Sequence, residues 1–211
     1  ANLPELRKLC DQYNALLVVD DSHAHGVLGQ TGRGTHEHYN MCPGVDGFDA
    51  SLGIIDIFTG TLGKGLGGGA GGFIAGSQQL INLIIQRGRP TLFSNALPVT
   101  VAASANKAIE ILMAEPDRVQ RLKDITKYCR EQIAAKTDFD VLESPTAICP
   151  IIVGPTETAI AMSKQLLGHN IFVIGFGYPV VPEGEARLRI QMSAAHTEAH
   201  VDQLVEALKK L

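Results

Sequence analysis

Hydrophobic positions follow two rhythms along this chain. Val119, Leu122, Ile125, Cys129 and Ile133 recur at spacings of three and four, which places one apolar stripe along a helix. From Ala186 to Met192 the pattern alternates: Leu188, Ile190 and Met192 face one way, Arg187, Arg189 and Gln191 the other, as in a half-buried strand. Pro4 to Tyr13 reads as a helix with Leu6 and Leu9 on one face and Pro4 near its start. Leu16 to Val19 is apolar without alternation and ends in Asp20, which predicts a strand buried on both faces, as in a parallel sheet. Ile54–Thr59, Gly71–Ala75 and Ile148–Val153 read as further strands. Leu80–Gln86, Pro98–Met113 and Glu157–Leu167 read as helices, the second rich in small residues, as a tightly packed helix would be. Thr197 is placed to cap a last helix carrying Val201, Leu204, Val205 and Leu208. Gly26 to Gly47, rich in Gly, His and Asn, reads as loop.

Strands alternating with helices predict an α/β fold, with a change of texture after Met113. Residues 1–113 are expected to be part of a larger, mainly parallel-sheet domain, and residues 114–211 a smaller α+β unit. No internal repeat is visible.

Charge and composition narrow the function. Eighteen basic and 22 acidic residues give a net charge of −4, which argues against a nucleic-acid surface. No apolar run reaches the roughly 18 residues of a membrane span. The four cysteines, Cys10, Cys42, Cys129 and Cys149, are scattered without a paired spacing, so reduced intracellular thiols are expected in place of a disulfide framework or zinc knuckle. The chain opens on Ala1 without a methionine or a targeting segment, and its first residues already read as a helix leading into a strand, as if in mid-fold.

The chemistry concentrates in two places. Eight of the thirteen residues from Gly60 to Gly72 are glycine, and Lys64 stands among them, so the tract needs a reason that offsets its backbone entropy. A phosphate loop of the G-x-x-x-x-G-K-[ST] type fails twice, because Phe58 holds the first glycine position and Gly65 follows the lysine. Gly63, Gly65 and Gly68 match G-x-G-x-x-G, but a strand follows instead of a helix, and no acid lies about 20 residues on. Lys64 then reads either as a solvated loop lysine or as a Schiff-base lysine, with Thr61 offering a hydroxyl to a phosphate and small neighbours admitting a ring. The second place is VVDDSHAHG. Asp20, at a strand's carboxyl end, suits the protonated nitrogen of a pyridine ring, a cationic electron sink; a helix cap is the alternative. For Asp21 an ordinary exposed acid is the plain alternative. His23 could lie over such a ring or handle protons. His23, His25, His36 and His38 lack a completing set of acid or cysteine ligands, so no metal is expected.

Together VVDDSHAHGVLGQTGRG, GTLGKGLGG, RPTLFSNALP and RLRIQMSAAHT resemble the α-oxoamine synthases, pyridoxal-phosphate enzymes of the aspartate-aminotransferase fold. The resemblance runs over essentially the whole chain, its blocks in family order, and the chain is similar to the C-terminal half of such enzymes. It implies a homodimer with a shared active site. It also implies that Lys64 carries pyridoxal 5'-phosphate, that Asp20 pairs with the ring nitrogen and that His23 stacks on the ring. Ser22 would lie near the phenolic oxygen, and Thr61 would bind the phosphate together with Ser94 and Asn95 of the neighbouring subunit. Arg189 would hold the substrate carboxylate, with Arg187 the second choice. GFGYPVVPEGEARLRIQMSAAHT points to the member that joins glycine and acetyl-CoA, reversibly, to 2-amino-3-oxobutanoate and CoA in threonine and glycine metabolism. A sister reaction with another acyl-CoA or amino acid, or an inactive fragment that only binds a partner chain, are the alternatives. Reduced cysteines fit cytosol or mitochondrial matrix and not secretion. Members being about twice as long, the 211-residue piece alone is expected to be weak or inactive.

Overall fold

Side-chain caps set several of the helix boundaries. In the computed structural model, which describes all 211 residues, α1 (Leu3–Gln12) starts where the Asn2 side chain accepts the Glu5 N–H, with Pro4 in the first turn, where no donor is needed. Its buried residues are Leu3 and Arg7; Leu6 and Leu9, the expected apolar face, are exposed. There follow β1 (Val18–Asp20), a one-turn helix α2 (Thr35–His38), β2 (Ile57–Thr61) and β3 (Gly72–Gly76). Next come α3 (Gln78–Arg87), capped by Ser77, then α4 (Arg89–Phe93), α5 (Val99–Ala114) and α6 (Asp117–Lys136). The chain ends with β4 (Ile148–Gly154), α7 (Thr156–Gly168), β5 (Ile174–Phe176), β6 (Ala186–Gln191) and α8 (Glu198–Leu208). Thr197 and His200 cap α8 reciprocally. No helix is long and apolar enough to cross a membrane.

The chain divides into two compact units, Ala1–Val119 and Gln120–Leu211. The first holds a three-stranded sheet in the order β1-β2-β3. β1 and β2 are parallel, pairing Asp20 with Thr59, but β2 and β3 are antiparallel. The expected mainly parallel sheet is thus corrected to a mixed one. The Leu62–Gly71 connection is shorter than the roughly dozen-residue crossover that a parallel neighbour needs. The expected double-sided burial of the first strand is also corrected. Leu17 is buried, but Leu16 and Val18 are 65% and 58% exposed, because the face of the strand that carries them is uncovered. The buried Arg7 fastens α1 to this sheet. It donates to Asp56 and to the carbonyls of Ile54 and Ala15, and Asp56 also accepts the Leu17 N–H at 2.7 Å.

In the second unit an antiparallel sheet runs β4-β6-β5. Ala186, Leu188 and Ile190 of β6 are buried, and Arg187 and Arg189 are half-buried between them in sequence, as the alternation predicts. Pro150 is tolerated in β4 because that strand lies at the edge. The core gathers Cys129, Ile133, Cys149, Ile151, Leu166, Leu188, Val201, Val205 and Leu208. Arg130 ties α6 to the chain before β4 by donating to the carbonyls of Leu142, Thr146 and Ile148.

Candidate active site

The parallel pairing of β1 with β2 brings two carboxyl-terminal strand ends side by side, where ligands of α/β sheets bind. Asp20 sits at one end, exposed. Its Oδ1 accepts the Ser22 hydroxyl at 2.6 Å and the Ser22 N–H at 3.1 Å. The Ser22 hydroxyl, then its N–H, hold the Asp20 carboxyl below the usual carboxylate range, and a hydrogen bond from Thr59 and the charge of Lys64 act the same way. Thr59 was not singled out from the sequence; it meets Asp20 only through the strand register. His23 lies exposed in the turn beyond β1.

β2 ends at Thr61, and the loop that follows carries Lys64, exposed. The Thr61 hydroxyl donates to the Gly71 carbonyl at 3.1 Å and accepts the Gly63 N–H at 3.2 Å, so it also closes the base of this loop. The glycine tract has local reasons. A Cβ on Gly68 would stand 2.7 Å from the Ala105 Cα on α5, one on Gly65 3.1 Å from the His25 carbonyl, and one on Gly60 2.7 Å from the Phe73 ring. These glycines are occupied by packing within the chain. Gly67 and Gly69, at φ +75° and +103°, have open space around them.

Behind this face lies a buried layer. Asp21 is 4% exposed, so the alternative of an ordinary surface acid does not hold. It accepts the N–H and hydroxyl of Thr35. Glu37, also buried, accepts from the Thr31 hydroxyl and from the N–H groups of Thr31 and Arg33. His25 packs against Phe58 and Phe73 at centroid distances of 5.4 and 5.3 Å, and His36 stands edge-on to Phe58 at 4.5 Å. Burial pushes both imidazoles below the ordinary 6.5. The unfolded chain therefore takes up protons near pH 6.5 that the folded chain refuses. Stability is complete above that pH and lost as pH falls through the folded values. Thermal melting is expected to drop between about pH 7.5 and about pH 5.5; an unchanged melting temperature would show that these groups titrate normally in the fold.

Ser94 and Asn95 are exposed just after α4, flanked by exposed Phe93 and Val99. In the second unit, Arg189 packs its guanidinium 5.5 Å from the Phe176 ring centroid, and its buried Nε has no hydrogen-bond partner. It lines a cleft of about 630 Å³ with Ile174, Met192, His196 and His200. Arg187 is instead paired with Glu185 at 3.2 Å. Both arginines belong to the second unit.

The family model for class I and II aminotransferases matches residues 1–208. The chain belongs to the class I and II aminotransferase family. Among curated relatives of this aminotransferase-family chain, the mitochondrial 2-amino-3-ketobutyrate coenzyme A ligase of Bos taurus is 43% identical over 98% of the chain and 47% of its own length. The enzyme of that name from Escherichia coli K12 is 40% identical over 100% of the chain and 50% of its own length. A high-resolution structure of SPT with a PLP internal aldimine superposes with a TM-score of 0.87 at 26% identity, covering 100% of this chain and 50% of that one. An 8-amino-7-oxononanoate synthase from Francisella tularensis does so at 0.76 and 25%, covering 98% and 57%. The chain spans about half the length of the curated relatives it matches.

Proposed function

We propose that the protein carries pyridoxal phosphate on Lys64 and joins glycine and acetyl-CoA, reversibly, to 2-amino-3-oxobutanoate and CoA. The observation that carries this reading is a hydrogen-bonded Asp20, its carboxyl held below the usual range by Ser22, at the same strand ends from which the Lys64 loop departs. The donor set fits the cofactor: a fixed carboxylate for a protonated ring nitrogen, an exposed amine for the carbonyl, and a hydroxyl at Thr61. When bound, pyridoxal phosphate supplies an electron sink for the charge left at an amino acid's α-carbon. Asp20 would keep the ring nitrogen protonated, and Ser22, by donating to Asp20, favours its ionised form. Once the substrate's amino group had taken its place on the cofactor, Lys64 would be a free amine able to remove the α-proton and return it. His23 would lie over the ring, and Thr61 would hold the phosphate.

Arg189 takes the substrate carboxylate through its guanidinium fork, because Arg187 is already committed to Glu185. The protein works as a homodimer in which Ser94 and Asn95 reach the phosphate of the neighbouring subunit, and the exposed Phe93 and Val99 beside them suit a protein contact. Residues 1–113 belong to the cofactor-binding domain and residues 114–211 form its smaller C-terminal companion. The place of the reaction is threonine and glycine metabolism in cytosol or mitochondrial matrix. The test is release of the CoA thiol from acetyl-CoA with pyridoxal phosphate present. Glycine-dependent release, weak from these 211 residues alone, is expected, falling in Arg189→Ala mainly through a raised KM for glycine. Preference for serine or for a long-chain acyl-CoA would overturn the substrate assignment.

A further inference from the structure

Asp20 and Asp21 are adjacent, yet Asp20, the last residue of β1, is exposed and Asp21, just beyond it, is buried. The buried Asp21 accepts the Thr35 N–H at 2.7 Å on Oδ2 and the Thr35 hydroxyl on Oδ1, closing the segment between them into a loop. Gly34 has φ +114° and lies against the Asp21 carboxylate with no room for a Cβ, so the closure depends on glycine there. Inside the loop the Asp21 carbonyl accepts the N–H groups of Ala24 and His25, and Gly26 N–H bonds the Gly32 carbonyl at 2.8 Å. The loop then leans on the segment that carries Lys64. A Cβ on Gly26 would stand 3.2 Å from the Gly65 backbone, and one on Gly65 would meet both the His25 carbonyl and the Val27 side chain at 3.1 Å. Two backbones in contact next to the lysine leave little freedom to either loop.

We infer that Asp21 is a positioning residue: by clipping Thr35 it holds the residue 22–35 loop against Gly65 and so fixes where Lys64 stands. The inference rests on the reading of Lys64 as the reacting amine only for what the positioning serves. Asp21 touches no reacting atom. His23 rides on the same loop, so one buried carboxylate sets both sides of the site.

The test is millisecond amide hydrogen exchange on the chain without cofactor, comparing Asp21→Ala with Asp21→Asn. In Asp21→Ala the N–H groups of Gly26, Leu62 and Gly67 are expected to exchange about tenfold faster or more, while those of β4 and β6 keep their protection. Asp21→Asn retains an acceptor for the Thr35 N–H and is expected to restore most of the protection. Should Asp21→Ala not fold, Thr35→Val, which deletes only the hydroxyl, is expected to show a weaker shift at the same amides. Faster exchange at Gly26 with Leu62 and Gly67 unchanged would overturn the inference, as would a rise shared equally by β4 and β6. No cofactor enters the measurement, so a Lys64 that fails to bind pyridoxal phosphate would sink the proposed function and leave this result standing.

Discussion

Asp20→Ala is expected to lower glycine-dependent CoA release at least about a hundredfold, the scale of losing one preorganised electrostatic partner. The carboxylate is exposed and makes its hydrogen bonds to Ser22, two residues away, and to Thr59, so its removal should leave the fold and melting temperature nearly unchanged. The loss should therefore appear in kcat and not in the amount of folded protein. Asp20→Asn separates charge from shape. It preserves an oxygen for Ser22 but cannot hold a proton on a ring nitrogen electrostatically, and it is expected to fall nearly as far as the alanine variant. Near-full activity in Asp20→Asn would show that the carboxylate serves only to order the Ser22 turn.

The largest stability effect is expected at Asp56. Its carboxylate receives Arg7, whose side chain is 10% exposed, and the Leu17 N–H at the start of the sheet. Asp56→Ala leaves a buried guanidinium with only Asp11 and two long carbonyl contacts, and orphans a backbone donor. The expected cost is about 2 kcal/mol, less than for a fully buried pair because the Asp56 side chain is 30% exposed. Urea unfolding would read it directly. Replacing Arg7 and Asp56 together with leucines should recover much of the loss, because no unpaired charge then remains buried. A single-variant cost close to zero would place the hold of α1 on the sheet elsewhere.

Local signals in the sequence reached as far as local physics does. The alternation through Ala186–Met192 gave the face on which Arg187 and Arg189 lie, and Thr197 marked the start of α8, because periodicity and capping act within a few residues. The antiparallel β3, the exposed β1 and the three-residue β5 were not legible. Strand direction and cover depend on partners far along the chain, and Ile-Gly-Phe is too short to alternate. Asp20 and Lys64 stood out by residue type and by the blocks around them. Thr59 needed the strand register, and Asp21 needed the fold of the loop that buries it. The glycines near Lys64 read as room for a cofactor, yet several are spent on contacts with Ala105, His25 and Phe73. No single-residue signal separates those two uses of glycine.

The central claim is that Lys64 carries pyridoxal phosphate. Titrating the protein with pyridoxal phosphate, recording the visible absorbance, reducing with borohydride and mapping the labelled peptide tests it in one sequence of steps. The account predicts a visible band, absent in Lys64→Ala, and a reduced label on Lys64. A band that survives in Lys64→Ala, or a label found on another lysine, would contradict it.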